Sequence, residues 1–196
     1  AMTEALLVHH FFPHAELDAG QTPVAGATLL TGGAACYRAY ETADGRQMAV
    51  GALEQKFWES FCDAAGLAQL RTRHWAHGEA PGSVAAHETI ARVADQLRRR
   101  TLAEWLQVFG AVDACVTPVL TPAEALVHEQ AAARGVVRRQ GAVTEVGPLA
   151  QMSGHTMPSH PAPRAGQQTR EVLTELGLDA AAIDDLIAAG IVQEAG

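Results

Sequence analysis

Between Tyr37 and Ala65 the hydrophobic period changes once, from alternation to roughly 3.6 residues, and this imposes a strand, turn, strand, helix order on the chain. Tyr37 to Thr42 and Arg46 to Val50 are short strand-like runs on either side of Ala43-Asp44-Gly45. Asp-Gly is expected to supply the positive backbone angles of a tight hairpin turn. Gly51 closes the second strand. Beyond it Phe57, Trp58, Phe61, Cys62 and Ala65 recur at three- and four-residue spacing, which predicts one buried face of a helix over about 54–65. Glu54 then stands at the strand-to-helix junction, where the positive end of the helix dipole favours a carboxylate and backbone N–H groups come within reach.

Outside this stretch the punctuation is mostly Gly and Pro. Residues 3–12 suit a short helix, and Pro13, Gly20, Pro23 and Gly26 predict a loop or linker over 13–31. Gly66 stops the aromatic helix, and Leu67 to Leu70 start a further short turn. His74 and His77 lie three residues apart, but their segment is short and flanked by glycine, and His9, His10 and His14 have no cysteine or carboxylate to complete a metal site. A helix from Ser83 to Arg100 puts Ile90, Val93 and Leu97 on one side. Thr101-Leu102-Ala103-Glu104 is a capping box, opening a helix with Leu102, Trp105, Leu106 and Phe109 as its apolar face. Ala114 to Leu120 reads as a strand in which Pro118 implies an edge or a break.

Thr121-Pro122-Ala123-Glu124 opens another helix with Pro at its first position, where the missing N–H costs nothing. Val136 to Arg139 and Val143 to Val146, around Gln140-Gly141, predict a second hairpin. Residues 153–166 carry three of the nine prolines and read as an irregular connector. Two helices, Gln168–Leu176 and Asp179–Ala189, close the chain before Gly177 and Gly190. The class expected is α+β: a small antiparallel β-sheet, including the second hairpin if it joins, packed by several helices and followed by a C-terminal helical segment.

At 196 residues and 48% hydrophobic composition the chain can bury a core. A formal charge of −8, with Arg98-Arg99-Arg100 as its one basic run, argues against a nucleic-acid partner. No apolar run approaches the roughly 20 residues of a membrane span. A cytoplasmic protein is expected, with no membrane partner and with Cys36, Cys62 and Cys115 as buried, reduced thiols.

The run from Tyr37 through Asp44-Gly45-Arg46, Met48-Ala49-Val50-Gly51-Ala52-Leu53-Glu54 and Lys56-Phe57-Trp58 resembles the small-domain signature of the family III CoA-transferases, in particular their alpha-methylacyl-CoA racemase branch. The likeness continues in Asp113 to Leu120, in His128 to Gly135 and in Gln168 to Leu178. It implies an N-terminal segment over 1–31, the small domain over 32–135, and a C-terminal part over 136–196 that in relatives returns to the large domain. The Rossmann-like N-terminal half of the family would be absent from the chain. The resemblance further implies acyl-CoA as substrate and no separate cofactor or metal. Glu54 would be a catalytic acid–base group, and Gly32, Gly33 and Tyr37 would bind substrate. Family members form interlocked dimers, so a homodimer or a separate chain supplying the other half is the implied partner. A non-catalytic, partner-binding subunit that kept the fold is the alternative, and Val172, Leu173, Leu176, Ile183, Leu186 and Ile187 would then be exposed or covered by the partner.

Overall fold

Alternation along 37–51 produces the hairpin. In the computed structural model, which describes residues 1–141, 143–147, 150, 152–154 and 161–195, β1 (Tyr37–Glu41) and β2 (Gln47–Gly51) pair antiparallel, with Tyr37 opposite Gly51 and Glu41 opposite Gln47. A third strand, β3 (Val116–Pro118), pairs with β2 so that the order is β1-β2-β3 and Pro118 lies on an edge, as its missing donor requires. The turn differs from the expectation in one respect. Gly45 takes a positive φ of 69° and Asp44 does not, because the loop is the three-residue kind with a single left-handed position. It is closed by the Thr42 N–H to the Arg46 carbonyl (2.9 Å) and the Gly45 N–H to the Thr42 carbonyl (3.0 Å).

Helix α3 (Gln55–Ala64) buries Trp58, Phe61 and Cys62, with Ala65 just beyond its end, as its spacing predicts. Trp58 stacks on Phe61 at 5.3 Å, and Phe61 lies parallel to Phe109 at 5.5 Å. Both core indoles are satisfied: Trp58 donates to the Leu70 carbonyl (3.0 Å) and Trp105 to the Leu97 carbonyl (2.8 Å). Ser83 caps α4 (Val84–Leu97), which stops three residues short of the expected Arg100. The Thr101–Glu104 capping box opens α5 (Leu102–Phe109), whose Leu102, Trp105 and Phe109 are buried while Leu106 is exposed. Asp44 ties the hairpin turn to this corner, accepting from the Thr42 hydroxyl and from the Leu102 N–H, and the Ala43 N–H donates to the Arg100 carbonyl at 2.9 Å.

The N-terminal segment corrects the loop expected over 13–31. Two helices, α1 (Met2–Val8) and α2 (Phe11–Asp18), precede the glycine-rich loop, and Pro13 is the third residue of α2. In a helix's first turn no residue has an intrahelical acceptor for its N–H, so proline breaks nothing there. Neither helix buries a residue.

The residues divide into two units, Ala1–Thr121 and Pro122–Gly196. The second holds α6 (Pro122–Val127), α7 (Glu129–Arg134), the hairpin of β4 (Val137–Gln140) and β5 (Val143–Val146), α8 (Thr169–Glu175) and α9 (Ala180–Ala188). The second hairpin forms a sheet of its own and does not join the first. Asp179 caps α9 through the Ala182 N–H (2.9 Å), and Arg170 joins α8 to α9 and the C-terminal segment through Asp184 and Glu194. Of the apolar positions expected to be exposed, Val172 and Leu176 are, whereas Ile183 is buried. The connector expected over 153–166 falls partly on 155–160, outside the described residues.

Candidate functional site

Strand alternation gives the first sheet two unlike faces. Tyr40, Met48 and Val50 point into the core, while Tyr37, Ala49, Gly51 and Thr117 share the opposite face. Small side chains at 49 and 51 leave an open groove of about 310 Å³, bounded by Tyr37, Arg38, Thr117 and Cys115. Arg38 is held at its edge by a 3.0 Å bond from Nη1 to the Gly32 carbonyl, and its Nε is buried without a partner. Cys115 adopts a positive φ of 52°, and its carbonyl accepts from the Gly51 N–H at 2.8 Å. It is exposed, which corrects the expectation of three buried thiols. Partial desolvation, then Asp113 and Glu54, push its thiol pKa up, and Lys56 opposes them. Burial pushes the Cys36 thiol up to about 11 and the Cys62 thiol up to about 12.

Glu54 is the N-cap residue of α3, extended at φ −84° and ψ 141°, and its carbonyl accepts from the Phe57 (3.0 Å) and Trp58 (3.1 Å) N–H groups. The side chain does not use the backbone donors expected to hold it. Its longer stem is poorly suited to the cap geometry that Ser, Thr, Asp and Asn satisfy, and the carboxylate is exposed. Glu54 is thus an unengaged carboxylate in electrostatic reach of Cys115, one of the groove's lining residues.

The backbone before Glu54 is tied down from a distant segment. The Leu53 N–H donates to the Gly51 carbonyl and the Leu53 carbonyl accepts from the Trp75 indole, both at 2.9 Å. Trp75 sits in a 3-10 turn, Trp75–His77, capped by His74, whose Nδ1 accepts from the Ala76 N–H at 3.2 Å. His74 is only 2% exposed, with its ring 6.2 Å from that of Trp58 and 5.5 Å from that of Trp75. Burial, foremost, holds its pKa below the usual histidine range, with His77 acting in the same direction and the Ala52 and Leu53 backbone and Glu79 opposing.

Of the residues singled out from the sequence, Tyr37 lines the groove and Gly32 anchors the arginine beside it. Gly33 is elsewhere: it is buried where the chain doubles back, donating to the Thr28 carbonyl (2.9 Å) and accepting from the Gly82 N–H (2.8 Å). A Cβ on Gly33 would come within 3.0 Å of the Ala27 carbonyl. Sequence reasoning missed Arg38, Cys115 and His74. Arg38 carries a signal, a cation inside an otherwise apolar alternation; the other two are assembled only by tertiary contacts. Among the described residues no three His, Cys, Asp or Glu side chains gather as a metal site would require, and no helix is long and apolar enough to cross a membrane. Chemically, one exposed carboxylate can take or return one proton at an adjacent atom.

Residues 1–169 match the profile of CoA-transferase family III. The chain is 36% identical to the alpha-methylacyl-CoA racemase of Mus musculus over 162 residues, and 36% identical to that of Homo sapiens over 159. Each alignment covers 78% of this chain and 39% of the relative, so the chain spans well under half the length of the racemases it matches. Among solved structures, a CAIB/BAIF family protein from Brucella suis is similar with a TM-score of 0.56 at 14% identity, covering 83% of this chain and 43% of that one. A hypothetical protein from Mycobacterium tuberculosis, Rv3272, is similar with a TM-score of 0.55 at 21% identity, covering 69% and 38%. These two likenesses concern the fold. The profile match, extending over most of the sequence, and the identity to the racemases together establish that this chain belongs to CoA-transferase family III.

Proposed function

We propose that this chain carries the small-domain share of an enzyme acting on acyl-CoA thioesters, and that Glu54 is one of two acid–base groups that move the proton on the carbon alpha to the thioester. The observation behind this reading is the exposed, hydrogen-bond-free Glu54 carboxylate in electrostatic reach of Cys115, which lines the small-residue groove, within the stretch that matches the family. Removing the alpha proton leaves an enolate, and returning a proton to the opposite face inverts the centre; each face needs its own acid–base group, and the enolate oxygen needs donors. Glu54 serves one face. The second group and the donors come from a second copy or from a chain supplying the remainder of a family member. Tyr37, Gly32 and Gly33 are proposed on the substrate side, with Gly33 acting through the loop it packs. CoA transfer between acids would share the groove, and label passing from one acid to another would identify it.

The test is solvent exchange. The chain alone should incorporate no deuterium into 2-methylacyl-CoA in deuterated water. Adding a chain that carries the rest of a family member should start incorporation, and Glu54→Gln should slow it by about 10²-fold or more. Full-rate exchange by the variant would end the assignment. A non-catalytic binding subunit is the second reading, favoured by Met2, Leu6, Val8 and Phe11, exposed apolar residues on helices that bury nothing. Light scattering tests it: a well-behaved monomer that captures no family chain would count against it.

A further inference from the structure

We propose that His74 is a positioning residue for Glu54, acting through the turn that carries Trp75. The chain of contacts is continuous. His74 Nδ1 accepts from the Ala76 N–H and fixes the turn; the turn aims the Trp75 indole at the Leu53 carbonyl; and Leu53 precedes Glu54 in the backbone. On its other side the His74 ring lies against Trp58, whose backbone N–H bonds the Glu54 carbonyl. The peptide groups on both sides of Glu54 are therefore held by the two tryptophans between which this histidine is packed.

The arrangement also specifies a tautomer. An Nδ1 that accepts a hydrogen bond leaves the neutral ring's proton on Nε2, a buried atom that completes no hydrogen bond of its own, with the Ala52 and Leu53 backbone acting on the ring. A histidine present only as an aromatic filler would show no such preference. Within its electrostatic reach are the Ala52 and Leu53 backbone, His77 on the same turn and Glu79 just beyond it.

Consequences for acyl-CoA chemistry rest on the function proposed above, but the positional assignment does not, and the experiment separates them. The imidazole nitrogen shifts of wild-type protein at neutral pH should report Nε2–H; a proton on Nδ1 would overturn the proposal without any mutant. Then His74→Phe, which keeps a ring and removes the cap, should speed exchange of the Trp75 indole proton by about fivefold, the factor that loss of a typical cap implies. His74→Asn, which restores a cap acceptor, should bring it back to within about twofold. The Trp105 indole proton, bonded to the Leu97 carbonyl, is the internal control. Equal acceleration of both indoles, no acceleration in His74→Phe, or failure of His74→Asn to rescue would each overturn the assignment. If the indole results hold while Glu54→Gln leaves proton exchange on acyl-CoA at full rate, His74 still positions the junction and the functional reading alone falls.

Discussion

Replacing Gly33 by Ala asks whether this glycine serves the fold or a ligand. A methyl group there would meet the carbonyl of Ala27 at less than 3.0 Å and the Thr28 oxygen at 2.8 Å. Both obstacles are backbone, which cannot swing aside as a flexible side chain can. Restoring van der Waals distance requires the Ala27–Thr28 strand of loop to move, and the bonds from Gly33 to Thr28 and from Gly82 to Gly33 sit on that crossing. Overpacking costs about 1–3 kcal/mol, and each backbone bond that loosens costs about 1 kcal/mol more. The expected loss of about 3 kcal/mol is a large share of the 5–15 kcal/mol typical of a domain. In urea, with a slope of about 1–3 kcal/mol/M, the midpoint should fall by about 1 M or more. Equilibrium unfolding followed by tryptophan fluorescence measures this. A Gly33→Ala protein with wild-type stability but lost acyl-CoA binding would refute the packing argument and return the residue to the substrate.

Thiol labelling should find one fast cysteine in three: Cys115 reacts in the native state, increasingly as pH rises, while Cys36 and Cys62 wait for unfolding. Glu54→Gln should quicken Cys115 labelling at fixed pH, because Glu54 helps to hold that thiol's pKa up. Acid should destabilise the corner between hairpin and α5. Asp44 lies below the usual carboxylate range through the Thr42 hydroxyl first and the Leu102 N–H as well, and Glu104 does so through the Thr101 N–H first. Folded pKa values below the unfolded ones, about 3.9 and 4.3, mean stability present above those values and lost as pH falls through the lower, folded ones, so Asp44→Asn should flatten the acid limb of a urea-midpoint profile. Trp58→Phe should cost about 1 kcal/mol for the lost indole bond, since the Leu70 carbonyl keeps the Arg73 N–H, and Trp58→Ala about 3–5 kcal/mol.

The sequence was most legible where neighbouring residues decide the outcome. Asp44-Gly45 between alternating runs announced the hairpin, the aromatic spacing of 57–65 announced α3, and Thr101 with Glu104 announced a cap that forms as written. Pro13 misled because its effect depends on position within a helix, and the α2 start had none of the Ser, Thr, Asp or Asn caps that would mark it. The location of Glu54 could be read from the change of period, but the freedom of its carboxylate could not, since that turns on the length of one side chain against cap geometry. His74 lay beyond reach altogether. Its distant partners at 53 and 58 become neighbours only once the 3-10 turn packs under the junction, and no period in the sequence encodes that contact.

The short third strand bears on how this protein behaves when concentrated. The Cys115 carbonyl and the Val119 N–H both bond to β2, so in an antiparallel ladder the alternate residues, Val116 and Pro118, turn their backbone groups outward. Pro118 has no N–H to offer there. A foreign strand approaching this border would find a single amide donor, that of Val116, on a strand three residues long. Edge-to-edge growth of the kind that seeds fibrils is thereby discouraged on the β3 side, and any strand added to this sheet would have to come in along β1.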